Sequence, residues 1–114
     1  MSLRTISATE LREKLKKEEN VFLLDVRAEE KYNHFHIEDP SLDARNIPKT
    51  EIIKLEETRE DTINFLPQEK EIIVTCTTGN SATKCAKILS ERNYDVVVLE
   101  GGVSAWKELL KGDG

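Results

Sequence analysis

E-I-I-V-T-C-T-T-G-N-S-A-T-K-C-A-K-I-L, from Glu71 to Leu89, is the stretch on which the fold turns. Glu71 to Thr75 is rich in β-branched residues and reads as a strand. Cys76 ends it. Thr77, Thr78, Gly79, Asn80 and Ser81 are small and turn-competent, and Gly79 and Asn80 suit unusual backbone angles. Ser81 or Asn80 can cap a helix over Ser81 to Arg92, whose Ala82, Cys85, Ala86 and Leu89 share one face. Buried strand, cysteine, small-residue loop and helix together form a device for making a thiolate. A helix N-terminus carries about half a positive charge and several unpaired N–H groups. A loop of N–H groups curling around the sulfur adds donors. Such surroundings lower a free thiol pKa of about 8.5 by one or more units, and the thiolate is the nucleophile. A strand-end cysteine is more often a small buried hydrophobe; here the loop after it points to chemistry.

Working outward, Ser7-Ala8-Thr9-Glu10 is a capping box, and Ala8, Leu11 and Leu15 recur at helical spacing, which predicts a helix from Thr9 to Glu18. Val21 to Val26 is an apolar run broken by Asp25, as in a strand buried on both faces. Ala44 to Pro48 reads as a short strand, Thr50 to Thr58 and Asp61 to Leu66 as helical pieces, and Val96 to Leu99 as a strand. Val103 to Leu110 is the last helix, with Val103, Trp106 and Leu110 inward and Gly112 as its stop. Apolar strands alternating with helices imply a parallel sheet covered on both faces. Ligands bind such sheets at the carboxyl ends of strands, where Cys76 sits. Spacing is uniform, so residues 1–114 are expected to form a single domain.

The bulk numbers narrow the function classes. The 114 residues carry 17 basic and 22 acidic side chains, a formal net charge of −5. That balance argues against nucleic acid and anionic membrane as partners, because no basic stripe is present to neutralise phosphates. No apolar run approaches the roughly 18 residues a membrane span needs. The start M-S-L-R lacks the apolar region of a signal peptide, and only two cysteines occur, so a reducing, cytoplasmic setting is expected.

Four segments, in order, carry a resemblance to the rhodanese superfamily. Asp25-Val26-Arg27 with Glu30 and Tyr32 resembles its D-V-R…E-Y segment. His36-Ile37 followed by Ala44-Arg45-Asn46-Ile47-Pro48 resembles its H-I-x-G-A-x-N-I-P segment. Cys76 and Gly79 match its active-site loop, and Val98-Leu99-Glu100-Gly101-Gly102 with Ala105-Trp106-Lys107 matches its closing segment. The resemblance covers nearly the whole chain and points to a single-domain rhodanese-like sulfurtransferase. It implies a three-layer α/β/α domain with a central five-stranded parallel sheet and helices on both faces.

It also implies that Cys76 takes sulfane sulfur from a small donor, thiosulfate or a persulfide, and holds it as a persulfide. The sulfur then passes to cyanide, a thiol or a protein sulfur carrier, in two half-reactions. Backbone N–H groups of Thr77, Thr78, Gly79, Asn80, Ser81 and Ala82 would hold the anionic sulfur. No metal and no organic cofactor is required. Asp25, Arg27 and His36 are candidates for pocket support.

Two departures from the family pattern matter. Many members place arginine five positions after the cysteine, where this chain has Ser81. No arginine or lysine lies between Glu71 and Ala82, and Lys84 is the nearest basic residue. Serine cannot grip a dianion as a guanidinium fork does, which puts thiosulfate as donor in question. Glu38 to Asp43 lengthens the segment before Ala44, and Phe35 stands where glycine is usual. A surface loop is the simpler account of that insertion.

Other residues read as structural. Cys85, nine positions after Cys76 on the inward helix face, reads as core packing; a resolving thiol would need the two Cα atoms within about 7 Å. His34 and His36 without nearby cysteines are too few for zinc. His36 reads as hydrogen-bonded structure and His34 as exposed. Asp25 and Arg27 read as a pair beside a strand end, Trp106 as a helix-to-sheet anchor, and Gly101-Gly102 as a tight turn near the active loop.

Two other functions compete with sulfur transfer. One is a non-catalytic rhodanese-like binding or sulfur-relay module, which the missing arginine favours and the retained Cys76 and Gly79 oppose. The other is a cysteine phosphatase or arsenate reductase, which needs C-x5-R; this chain has Ala82 at the arginine position.

Overall fold

The capping box closes in both directions: the Ser7 N–H donates to Glu10 Oε1 (3.0 Å) and the Glu10 N–H to Ser7 Oγ (3.1 Å). It starts helix α1, Ala8–Lys17, whose buried residues are Ala8, Leu11 and Leu15. The computed structural model describes residues 3–17, 20–58, 66–67 and 69–113. Ten elements follow in the order β1 (Arg4–Ile6), α1, β2 (Val21–Asp25), α2 (Glu29–His34), β3 (Leu42–Asn46), α3 (Lys49–Thr58), β4 (Ile72–Thr75), α4 (Asn80–Ser90), β5 (Val96–Leu99) and α5 (Gly102–Asp113). The expected helix over Asp61 to Leu66 lies almost wholly outside the described residues.

The five strands form one sheet in the order β1-β5-β4-β2-β3, and every neighbouring pair is parallel. In β2, β4 and β5 every residue is buried, as strands covered on both faces must be. Alternation sends Phe22, Leu24, Ile72, Val74, Val96 and Val98 to one face. There they meet Ile52 and Leu55 of α3 and Ala82, Ala86 and Leu89 of α4. Val21, Leu23, Ile73 and Leu99 meet α1 and the Val103 and Trp106 of α5 on the other face. The crossovers through α3 and α4 advance across the sheet in the same direction, so a common crossover hand puts both helices on one face.

From β2 the chain steps outward to β3 and then returns to the far side of β2 as β4. The gap between the carboxyl ends of β2 and β4 is therefore where connections diverge, the place such sheets use for ligands. Val26, just past β2, donates to the Thr75 carbonyl at the end of β4 (2.9 Å), fixing these two ends against each other.

Two elements were not foreseen, and several expectations need correction. The first strand, β1, has only three residues and is held by pairing with β5. Helix α2 has no buried residue and so no apolar period. The third strand begins at Leu42 and ends before Ile47 and Pro48. Leu110 is exposed while Leu109 packs on the core, and Gly112 lies within α5. On a terminal helix with one covered face, the neighbouring position takes the inward place and the chain runs on past an exposed glycine. Trp106 is buried at 5% exposure beside Val103, the anchor expected of it.

Candidate active site

Cys76 follows the last residue of β4 and is 5% exposed. The chain turns over it through Thr77, Thr78 and Gly79 and enters α4 at Asn80. Gly79 occupies the N-cap position with φ +110°, and no side chain caps the helix. Neither Ser81 nor Asn80 therefore performs the expected capping. The turn needs a residue in left-handed backbone space before the helix, which only glycine enters without strain. That conformation aims the Gly79 N–H at Cys76 Sγ, 3.0 Å away.

Among the described residues this is the one hydrogen bond to the Cys76 sulfur. The first N–H groups of α4 have no partner inside the helix, whereas Thr83 N–H already bonds the Gly79 carbonyl (3.0 Å). Ala82 is fully buried in the core, and its side chain does not face the cavity.

A second turn grips the loop from outside. Gly101 and Gly102 both have positive φ, +72° and +58°. Val103 N–H donates to the Cys76 carbonyl (2.8 Å) and Ser104 N–H to the Thr77 carbonyl (3.0 Å). A Cβ on Gly102 would collide with the Cys76 carbonyl oxygen and lie 2.7 Å from that of Thr77. The glycine pair thus lets the start of α5 approach close enough to hold the backbone that carries the thiol.

The facing wall comes from β2. Asp25 is 1% exposed. Arg27 spans it with Nε at 2.9 and 3.0 Å and Nη2 at 2.6 Å, while the Arg27 N–H adds a bond of 3.0 Å. Arg27 Nη2 also donates to the Phe35 carbonyl (2.7 Å), and Asn46 Nδ2 donates to the carbonyls of Asp25 and Arg27. This is the pair beside a strand end that the sequence predicts, and it ties β2, α2 and β3 together. His36 is not among the residues that line the cavity beside Cys76. Its ring stacks on Tyr32 at 4.0 Å, Nδ1 meets the Tyr32 carbonyl (2.9 Å), and Nε2 pairs with Glu38 (2.9 Å). Burial, with Asp25 and Glu38 nearby, raises the Tyr32 pKa.

Between these walls lies a cavity of about 450 Å³. Its lining comprises Val26, Arg27, Ala28, Lys31, Pro48, Lys49, Thr50, Cys76, Thr77, Thr78, Asn80 and Ser81. Lys31 and Lys49 were not singled out from the sequence. The only signal for them was adjacency: Lys31 follows the Asp25–Arg27 segment, and Lys49 follows Pro48 in the second matching segment. A neighbouring cavity of about 410 Å³ shares Arg27, Lys31 and Thr77 and adds Phe35, over whose ring Lys107 Nζ sits at 4.7 Å. Glu38 to Asp43 runs along the surface into β3 and lines neither cavity.

Cys85 is fully buried on the inner face of α4. Burial first, and then the charge of a Cys76 thiolate, push its pKa up to about 11, against the pull of Lys49 and Lys84. It is a neutral core thiol at ordinary pH. Among the described residues no group of three or more histidine, cysteine, aspartate or glutamate side chains is arranged to hold a metal ion. None of their helices is long and apolar enough to cross a membrane.

The model of the Rhodanese-like domain family matches residues 7–109. The chain belongs to that family. It is 29% identical over 107 residues to the "Putative sulfurtransferase YtwF" of Bacillus subtilis (strain 168), covering 94% of this chain and 93% of that one. It is 32% identical to the "Probable adenylyltransferase/sulfurtransferase MoeZ" of Mycobacterium tuberculosis, where 96% of this rhodanese-like chain spans only 26% of the larger protein. The crystal structure of a rhodanese-like domain protein from Staphylococcus aureus superposes with a TM-score of 0.74 at 25% identity, covering 91% of both chains. The sheet order and the two-faced helix packing are thus those of a rhodanese-like domain.

Proposed function

We propose that this rhodanese-like domain is a sulfurtransferase that works through a persulfide on Cys76. The observation that carries the reading is the placement of one cysteine: Cys76 lines a cavity of about 450 Å³ at the sheet's switch point, with the Gly79 nitrogen 3.0 Å from its sulfur. The site residues proposed for it are Cys76 as nucleophile and the backbone of Thr77 to Ala82 as its cradle. Asp25 and Arg27 act as the rigid wall, and His36 holds α2 in place from behind.

In the first half-reaction the Cys76 thiolate attacks the outer sulfur of the donor. With thiosulfate, a Cys76 S–S bond forms, the donor S–S bond breaks, and sulfite leaves with the bonding pair; three negative charges stand on each side. With an organic persulfide, the thiolate of the donor leaves instead. In the second half-reaction an acceptor such as cyanide attacks the terminal sulfur, gives thiocyanate and returns the Cys76 thiolate. A protein thiol or sulfur carrier is an equivalent acceptor. The terminal persulfide sulfur carries negative charge, and the open first turn of α4 offers N–H groups to it, as an oxyanion hole does. No step requires a cofactor.

The test is the intact mass of purified protein after exposure to thiosulfate or to a low-molecular-weight persulfide. We expect a gain of one sulfur, about 32 Da, that cyanide removes and that Cys76→Ser abolishes. Folded, reduced protein that gains no sulfur from any donor would instead favour a non-catalytic binding or relay module.

A further inference from the structure

The chain carries a net charge of −5, yet the cavity beside Cys76 is lined by Arg27, Lys31 and Lys49 and by no aspartate or glutamate. Arg27 is neutralised by Asp25 behind it. Lys31 and Lys49 are not: among the described residues no carboxylate lies within ion-pair distance of either ammonium. Lys31 stands on α2 and Lys49 opens α3, so the two come from separate elements to the cavity that Cys76 also lines. Glu30 lines only the neighbouring cavity. A cleft of one sign in a chain of the opposite sign concentrates counter-ions at its mouth.

We infer that Lys31 and Lys49 form an anion clamp across Cys76 and replace the cation missing from the active loop. This deepens the sulfur-transfer reading and rests on it. The preferred donor is then an anion whose charge lies within a few bonds of its sulfane sulfur, a sulfonate or a carboxylate. Two flexible ammonium groups act as point charges and do not impose the planar fork of a guanidinium, so either head group is accepted. The cationic grip that Ser81 cannot supply at the arginine position then comes from outside the loop.

The closing experiment separates the clamp from the persulfide mechanism. Cys76 is alkylated with anionic iodoacetate and with neutral iodoacetamide, each followed by peptide mass mapping, in the wild type and in K31Q/K49Q. The iodoacetamide rate reports the reactivity of the sulfur, and the ratio of the two rates reports the clamp alone. We expect the double variant to lower the iodoacetate-to-iodoacetamide ratio about three- to tenfold, as two solvent-exposed charge pairs would. High salt should lower the wild-type ratio in the same direction, without any substitution. A ratio unchanged by both the variant and salt overturns the clamp, even if sulfur loading is normal. A ratio that falls in protein that never gains sulfur overturns the enzymatic reading and leaves the clamp standing. Because either head group is accepted, sulfur loading from thiosulfate and from cysteine persulfide should both slow in K31Q/K49Q. Slowing with neither would count against the clamp.

Discussion

Cys76 and Cys85 lie nine residues apart, are both buried, and belong to the same apolar cluster, yet their surroundings are opposite. Cys85 packs with the apolar face of α4 against the sheet, and burial pushes its thiol pKa up to about 11. Around Cys76 the decisive groups are backbone. Gly79 donates to the sulfur, Val103 and Ser104 hold the carbonyls of the loop, and Val26 links the strand ends. Exposure alone does not tell the proposed nucleophile from a packing cysteine. What separates them is the backbone N–H that the chain turns toward the Cys76 sulfur.

The comparison can be broken most forcefully at the wall facing Cys76. Arg27→Ala leaves Asp25 buried and unpaired, and should cost about 3–5 kcal/mol of stability, read from denaturant unfolding. A loss within experimental error would mean that the pair does not hold the site. Next comes the outer grip. Gly102→Ala places a Cβ against the Cys76 and Thr77 carbonyls at φ +58°, and should cost at least about 2 kcal/mol. It should also slow sulfur loading, because the loop must shift. On the other side of the comparison, Cys85→Ala should cost about 1 kcal/mol from the small void it leaves and should keep sulfur loading close to wild type. A large loss of loading in that variant would make Cys85 a participant.

A pH dependence confined to alkaline solution, and absent at neutral pH, is also expected. The folded pKa of Cys85 lies above its unfolded value, so between about 9 and 11 the folded state binds more protons than the unfolded one. Stability must therefore fall as pH rises through that window, by up to about 3 kcal/mol from this group. Urea titrations of wild type and Cys85→Ala should converge or cross as pH rises from 9 toward 11. A constant difference between them would show that Cys85 does not sense its burial.

Much of the fold was legible because the strands that matter are uniformly apolar and the helices on their faces have clear periods. The Cys76 loop was legible for a related reason: glycine and small polar residues after a buried strand leave few conformations for the chain. What escaped lies where local signals are weak. Strand β1 has three residues and two of them are exposed, so it exists through its partner β5. Helix α2 buries nothing, so no period marks it. The capping role went to Gly79 because backbone geometry outranked the side-chain preferences of Asn80 and Ser81. Lys31 and Lys49 escaped because only the switch-point topology brings α2 and α3 to the carboxyl end of β4. A search for cations confined to the loop could not find them.

The most direct test of the central claim is peptide-level mapping of the sulfur added by a donor. Folded wild-type protein is treated with thiosulfate or a persulfide, trapped with an alkylating agent and digested. The account predicts an added sulfur on the peptide carrying Cys76 and an unmodified thiol at Cys85. Added sulfur at Cys85, or at neither cysteine with any donor, would contradict it.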